Sequence, residues 1–244
     1  MPTPQIPSVL VSRSVRVVRP RDLRELYVNP SSELARLEDQ GAVQRFARGY
    51  YALVPAESVG DSRWRPTIEA LTLGVAVADY GVDLVALMGP SAARLHGALP
   101  RAVALGSVAI PMQRPPLVTR WGRIGFHTRD VVRLDLEHVD TDLAAGYQTT
   151  VEQTILDLAR WADTWDVSRE MISEAIATLA GRADWSLTRD LALEQGERAA
   201  YVRASWVASA NVPDVPHVRV RGPVKSYGLR PSKPVAVGRF PIEE

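Results

Sequence analysis

The chain has 244 residues, 46% of them hydrophobic and 23% charged, with a formal net charge of +1. That composition supports one or two ordinary globular cores and excludes a disordered or strongly basic protein, so global charge names no partner. The absence of cysteine excludes disulfides, Cys-ligated zinc, iron–sulfur clusters and thiol nucleophiles, and it fits a reducing compartment. The four histidines, His96, His127, His138 and His217, are scattered with none at i, i+4 from another, so no two-histidine helical metal site is written and neither metal nor cofactor is expected. No run approaches the roughly 18 apolar residues of a membrane span, and no long apolar core follows a basic start; a cytoplasmic protein that stays off the membrane is expected.

Charge is unevenly placed. Residues 1–55 carry 8 basic against 5 acidic residues and residues 200–244 carry 7 against 3, so both ends are basic around an acidic centre. An anionic partner would therefore meet the ends.

In chain order, VRVVRP (15–20) is β-branched and alternating, which predicts a short strand, and RDLRELYV (21–28) offers Leu23 and Leu26 on a short helix. Asn29 and Pro30 stop that helix and begin the next as N-cap and N1, and Gly41 closes it. Leu34 and Leu37 lie 60° apart on a helical wheel and set a buried face. Ser32, Ala35, Arg36 and Asp39 then point outward. AVQRFARGYYALV (42–54) alternates apolar residues about an Ala-Arg-Gly turn, the pattern of a β-hairpin in which Gly49 supplies a positive φ. Helix, short turn, helix and hairpin is the order of a winged helix-turn-helix.

That order has a physical logic on duplex DNA. Arg36 can fork onto guanine O6 and N7, and Ser31 or Ser32 can reach a base or a phosphate. Arg45, Arg48 and Tyr50 stand on the wing, and Arg13, Arg16, Arg19 and Arg21 form a basic arm beside it. Asp39 would repel phosphate, so only the N-terminal half of the second helix is expected to dock.

Beyond residue 60 an apolar helix is expected after Pro66 (TIEALTLGVAVADY), then a buried strand DLVALM and a short helix within GPSAARLHGAL. VALGSVAIP, RIGFHTR and VVRLDLEHV read as further strands, and from Thr150 four helical segments follow: VEQTILDLARWA, VSREMISEAIATLAG, SLTRDLALEQ and ERAAYVRASWVASA. The tail 212–244 is rich in Pro, Gly and basic residues and is expected to be either extended on the body or partly disordered. Trp161, Trp165 and Trp185 near helix ends are expected as core or interface anchors. His96 is expected as a helix-end histidine with a backbone partner.

One enzymatic alternative stands beside this. Asp135 and Glu137, with Asp140 and Asp142, form a carboxylate cluster, and a pair two residues apart on one strand face is how metal-dependent nucleotidyltransferases and nucleases hold cations. The Gly-Ser element that precedes such a pair in transferases is missing, and acids alternating with Leu134, Leu136 and Val139 match the wet face of a sheet. GPSAA has neither a GxSxG elbow nor a phosphate-binding loop.

RDLRELYVNPSSELARLEDQGAVQRFARGYYALVP, then LMGPSAARLHGAL, then a run of strands, then TTVEQTILDLA, together resemble the AbiEi antitoxins, transcription regulators of bacterial abortive-infection toxin–antitoxin pairs. The resemblance covers about residues 15–160. It implies a winged helix that binds inverted repeats in the operon's own promoter and a larger C-terminal domain that counters a nucleotidyltransferase-like toxin. It places Ser32, Arg36, Arg45, Arg48 and Tyr50 on the recognition helix and wing. The expected molecule is thus an α+β, non-enzymatic DNA-binding antitoxin: a winged helix-turn-helix over residues 1–58, then a mixed-sheet domain with a helical C-terminal part and a basic tail over residues 59–244.

Overall fold

The computed structural model describes residues 10, 13–61, 63–99, 103–212, 215–232 and 241–243. The fold is α+β, with seven α-helices among the described residues and mixed sheets. The chain divides into two compact units, the first comprising residues 1–86, 104–131 and 138–147 and the second residues 87–103, 132–137 and 148–244. The boundary expected at residue 58 falls inside the first unit.

In the first unit, β1 (Val17–Val18) is followed by a 3₁₀ turn (Pro20–Leu23), helix α1 (Pro30–Asp39) and the hairpin of β2 (Val43–Ala47) and β3 (Tyr50–Leu53). The expected helix over 21–28 is only that one turn: Leu23 is buried, but Leu26 is 42% exposed and adds nothing to the core. The cap of α1 is as its sequence dictates, with the Asn29 side chain accepting from the Ser32 amide, Pro30 in the first turn, and Gly41 just beyond the end at φ 72°. Leu34 and Leu37 are fully buried with Val18, Leu23, Val43, Tyr51 and Leu53. Each such side chain contributes about 1.5–3 kcal/mol on leaving water.

The sheet order is β1-β3-β2, antiparallel throughout. Gly49 turns the hairpin at φ 80°. The register shifts between Arg45, opposite Tyr51, and Ala47, opposite Tyr50, so Phe46 is an extra residue on β2. Phe46 and Ala47 are consequently both buried, while Arg45 and Arg48 on either side of them are exposed.

Helix α2 (Ile68–Tyr80) is buried along most of its length and is capped by Thr67, whose hydroxyl accepts from the Ala70 amide. Its Gly74 permits close approach to β1: a Cβ there would stand 2.5 Å from Val17 Cγ2. Strands β5 (Leu105–Ile110), β6 (Leu117–Thr119) and β7 (Gly122–Thr128) complete this unit's larger sheet in the order β6-β7-β5, with β5 parallel and β6 antiparallel to β7. The Arg120 amide donates to the Phe46 carbonyl at 2.7 Å, and Phe46 stacks on Trp121.

The expected strand DLVALM is mostly something else: Val82–Leu84 is a 3₁₀ turn, and only Ala86–Leu87 (β4) is strand. VVRLDLEHV likewise divides into a 3₁₀ turn (Val131–Arg133) and β8 (Leu136–Asp140). Val131 and Leu134 both point inward, while Val132 is 87% exposed; that is the three-residue spacing of a 3₁₀ turn, not strand alternation.

The second unit is helical around α4 (Val151–Arg160), with α5 (Arg169–Ala180), α6 (Trp185–Glu194) and α7 (Arg198–Ala208). Thr150, Ser168 and Asp184 cap the first three of these through their side chains. Trp165 and Trp185 are core residues as expected, Trp185 packing edge-on against Tyr201 and donating to the Ala180 carbonyl. Trp161 is only partly buried and lies under the Arg160 guanidinium. Described parts of the tail are extended and packed, with Val218, Val224 and Leu229 buried and β10 (Val224–Lys225) parallel to β11 (Ile242–Glu243). Also here are α3 (Gly89–Leu95) and the pairing of Leu87 with Gln148 on β9 (Ala145–Thr149).

Candidate nucleic-acid interface

The candidate side chains fall into three settings. Ser31 and Ser32 are exposed on the first turn of α1 and Arg36 on its last turn. Arg36 is not idle: Nε and Nη2 donate to the two oxygens of Glu33 at 3.0 and 2.5 Å, a bidentate pair one helical turn long. The hydrogen bond from Arg36 holds the Glu33 carboxyl below its ordinary value. On the β2–β3 hairpin, Arg45 and Arg48 are exposed, and the Arg45 amide donates to Glu38 at 3.2 Å.

The arm differs. Arg16 is exposed, but its backbone is held on both sides, its amide donating to Leu143 O and its carbonyl accepting from Leu53 N. Arg13 Nη2 reaches the Asp22 carbonyl at 3.4 Å. Arg19 grips Asp22 through Nε and Nη2 at 2.9 and 2.6 Å, and its Nη1 donates to Asp79. Arg21 Nη2 also donates to Asp79, at 2.9 Å.

Asp79, on the last turn of α2, is a meeting point that sequence reading missed. Its Oδ1 accepts from Arg19 and Arg21, and its Oδ2 accepts from the Tyr50 hydroxyl at 2.7 Å and from Arg114 Nη1 at 2.5 Å. Arg114 Nη2 adds a 3.4 Å bond to the Tyr50 oxygen, and the guanidinium lies 4.2 Å from the Phe126 ring centroid. The Asp79 side chain is 7% exposed, against 57% for Arg21. Burial opposes ionisation of Asp79, but the hydrogen bonds from Tyr50, Arg114 and Arg19 outweigh it and hold the carboxyl below its ordinary value. Burial and the bond to Asp79 push the Tyr50 hydroxyl up. An acid at a helix C-terminus opposes the macrodipole, and three guanidiniums offset that cost here.

The carboxylates of the enzymatic alternative do not share a strand face, because Asp135 lies before β8 begins. Asp135 accepts from the Thr150 hydroxyl at 2.8 Å, and its amide donates to Gln153. Glu137 accepts from Gln148 Nε2 at 2.6 Å and lies 3.7 Å from His96 Nδ1. His96 ends α3 and its Nε2 bonds the Thr149 carbonyl at 2.8 Å, the helix-end role expected for it. Among the described residues there is no cluster of three metal-ligating side chains, and no helix is long and apolar enough to cross a membrane.

The chain matches no protein-family model, and no curated protein matches it.

Proposed function

We propose that the protein is a DNA-binding antitoxin that represses its own operon through a winged helix-turn-helix and counteracts a nucleotidyltransferase-like toxin through its second unit. One observation carries the DNA half. A strand, a 3₁₀ turn, a capped helix and a hairpin follow one another with a β1-β3-β2 sheet, and Ser31, Ser32 and Arg36 on the helix and Arg45 and Arg48 on the hairpin are exposed, which supports a winged-helix reader. For the antitoxin half, the support is the AbiEi resemblance. Two of its segments meet within the second unit, where His96 bonds Thr149.

With the arm partly tied to Asp22 and Asp79, about four or five arginines remain to neutralise phosphates. Log K for the chain's own upstream DNA should fall with log salt at a slope of about −4. A gel-shift series over salt concentration measures it, with an unrelated duplex alongside. Equal affinity for the two duplexes at 150 mM salt would remove the operator claim. Growth of cells expressing the toxin together with the full chain tests the antitoxin half.

A further inference from the structure

We infer that Asp79 is the positioning residue of the DNA-reading face, fixing the arm and the wing at one spacing through the two oxygens of a single carboxylate. The inference rests on the DNA-binding reading.

The argument is geometric. Among the described residues, Oδ1 accepts from the arm residues Arg19 and Arg21, and Oδ2 accepts from Tyr50, at the foot of the wing turn, and from Arg114. Tyr50 is paired across the hairpin with Ala47 and is separated from Arg48 by Gly49 alone. A side chain with 7% exposure on a helix buried along most of its length is a fixed point, whereas Arg21 at 57% exposure is not. Arg21 therefore owes its direction to Asp79. Arg114 closes the cluster from the other side, braced on Phe126.

Phosphates on a duplex are regularly spaced, so a reader gains specificity when its cations are held at matching separations before binding. Removing the Asp79 charge has two opposed effects. Net positive charge rises, which favours any DNA, while the arm and wing lose their common reference, which disfavours the one sequence whose base contacts must coincide with the phosphate contacts. A purely structural role moves binding to all duplexes together; a positioning role separates them.

The test uses the full chain, a duplex of its own upstream DNA and a scrambled duplex of equal composition, each titrated over salt. Asp79→Asn should narrow the affinity ratio between the two duplexes by about tenfold, with a salt slope as steep as the parent's or steeper. Tyr50→Phe, which removes one hydroxyl and no charge, should narrow it about threefold, and it carries the test if Asp79→Asn does not fold. Unchanged ratios in both variants, or equal losses on both duplexes, would overturn the positioning role while leaving the DNA reading intact. A parent chain that does not distinguish the two duplexes would instead sink the DNA reading itself.

Discussion

Two ion-pair sites in the first unit, Asp79 with its arginines and Glu33 with Arg36, use the same chemistry to different ends. Glu33 and Arg36 sit one turn apart on an exposed helix, so forming the pair costs side-chain freedom, gains little in water and links nothing distant. Asp79 lies nearly out of solvent and joins residues up to 60 positions away. Its charge cannot be left unanswered there, and neither can the guanidiniums that answer it. The exposed pair is a local adjustment of α1, while the buried one is a joint of the fold.

That contrast can be broken by mutation. Asp79→Ala leaves converging cations without their anion and should lower the unfolding free energy by about 3 kcal/mol, whereas Glu33→Ala should leave it unchanged within error; urea denaturation of both variants decides. If the two losses prove equal, burial is not what separates the sites.

A half-buried histidine in the same unit sharpens the comparison by pH. Burial first, then the charge of Arg129, lowers His127 from 6.5 to about 4. The unfolded imidazole takes its proton near pH 6.5 and the folded one only near 4, so stability is complete above that window and falls as pH drops through it. The loss is on the order of 2 kcal/mol, and His127→Gln should flatten the curve over this range. Asp79 acts in the same direction at lower pH, because a carboxyl held below its ordinary value gives up its contribution as pH falls through its folded value.

The smallest effect is expected at Glu33. Glu33→Gln removes the charge that competes for the Arg36 guanidinium, so binding to upstream DNA should tighten about twofold to threefold with no change in melting temperature. A weaker complex would mean that Glu33 orients Arg36 toward DNA and does not restrain it.

What the sequence made legible follows the same division. The cap of α1, its Leu34–Leu37 face, the Gly49 turn and the helices from Thr150 onward are set by residues within a few positions of one another. Asp79 was silent because its partners lie 29, 35, 58 and 60 residues away. VVRLDLEHV misled for a related reason: its alternation is equally compatible with a 3₁₀ turn followed by a strand, and the Thr150 amide and hydroxyl, both bonded to Asp135, lie outside the segment. The boundary expected at residue 58 follows the end of the hairpin, and Val17 seats against Gly74 of α2, a contact no local pattern announces.

The extra residue on β2 makes chain length itself a functional variable. With Phe46 in place, two neighbouring side chains turn inward and the arginines flanking them both stay in solvent. Deleting one residue between Arg45 and Gly49 would restore regular alternation and force either an arginine inward or an aromatic outward. Natural variants of this hairpin should therefore differ by replacement and not by insertion or deletion, even though it is an exposed turn of the kind that ordinarily tolerates both.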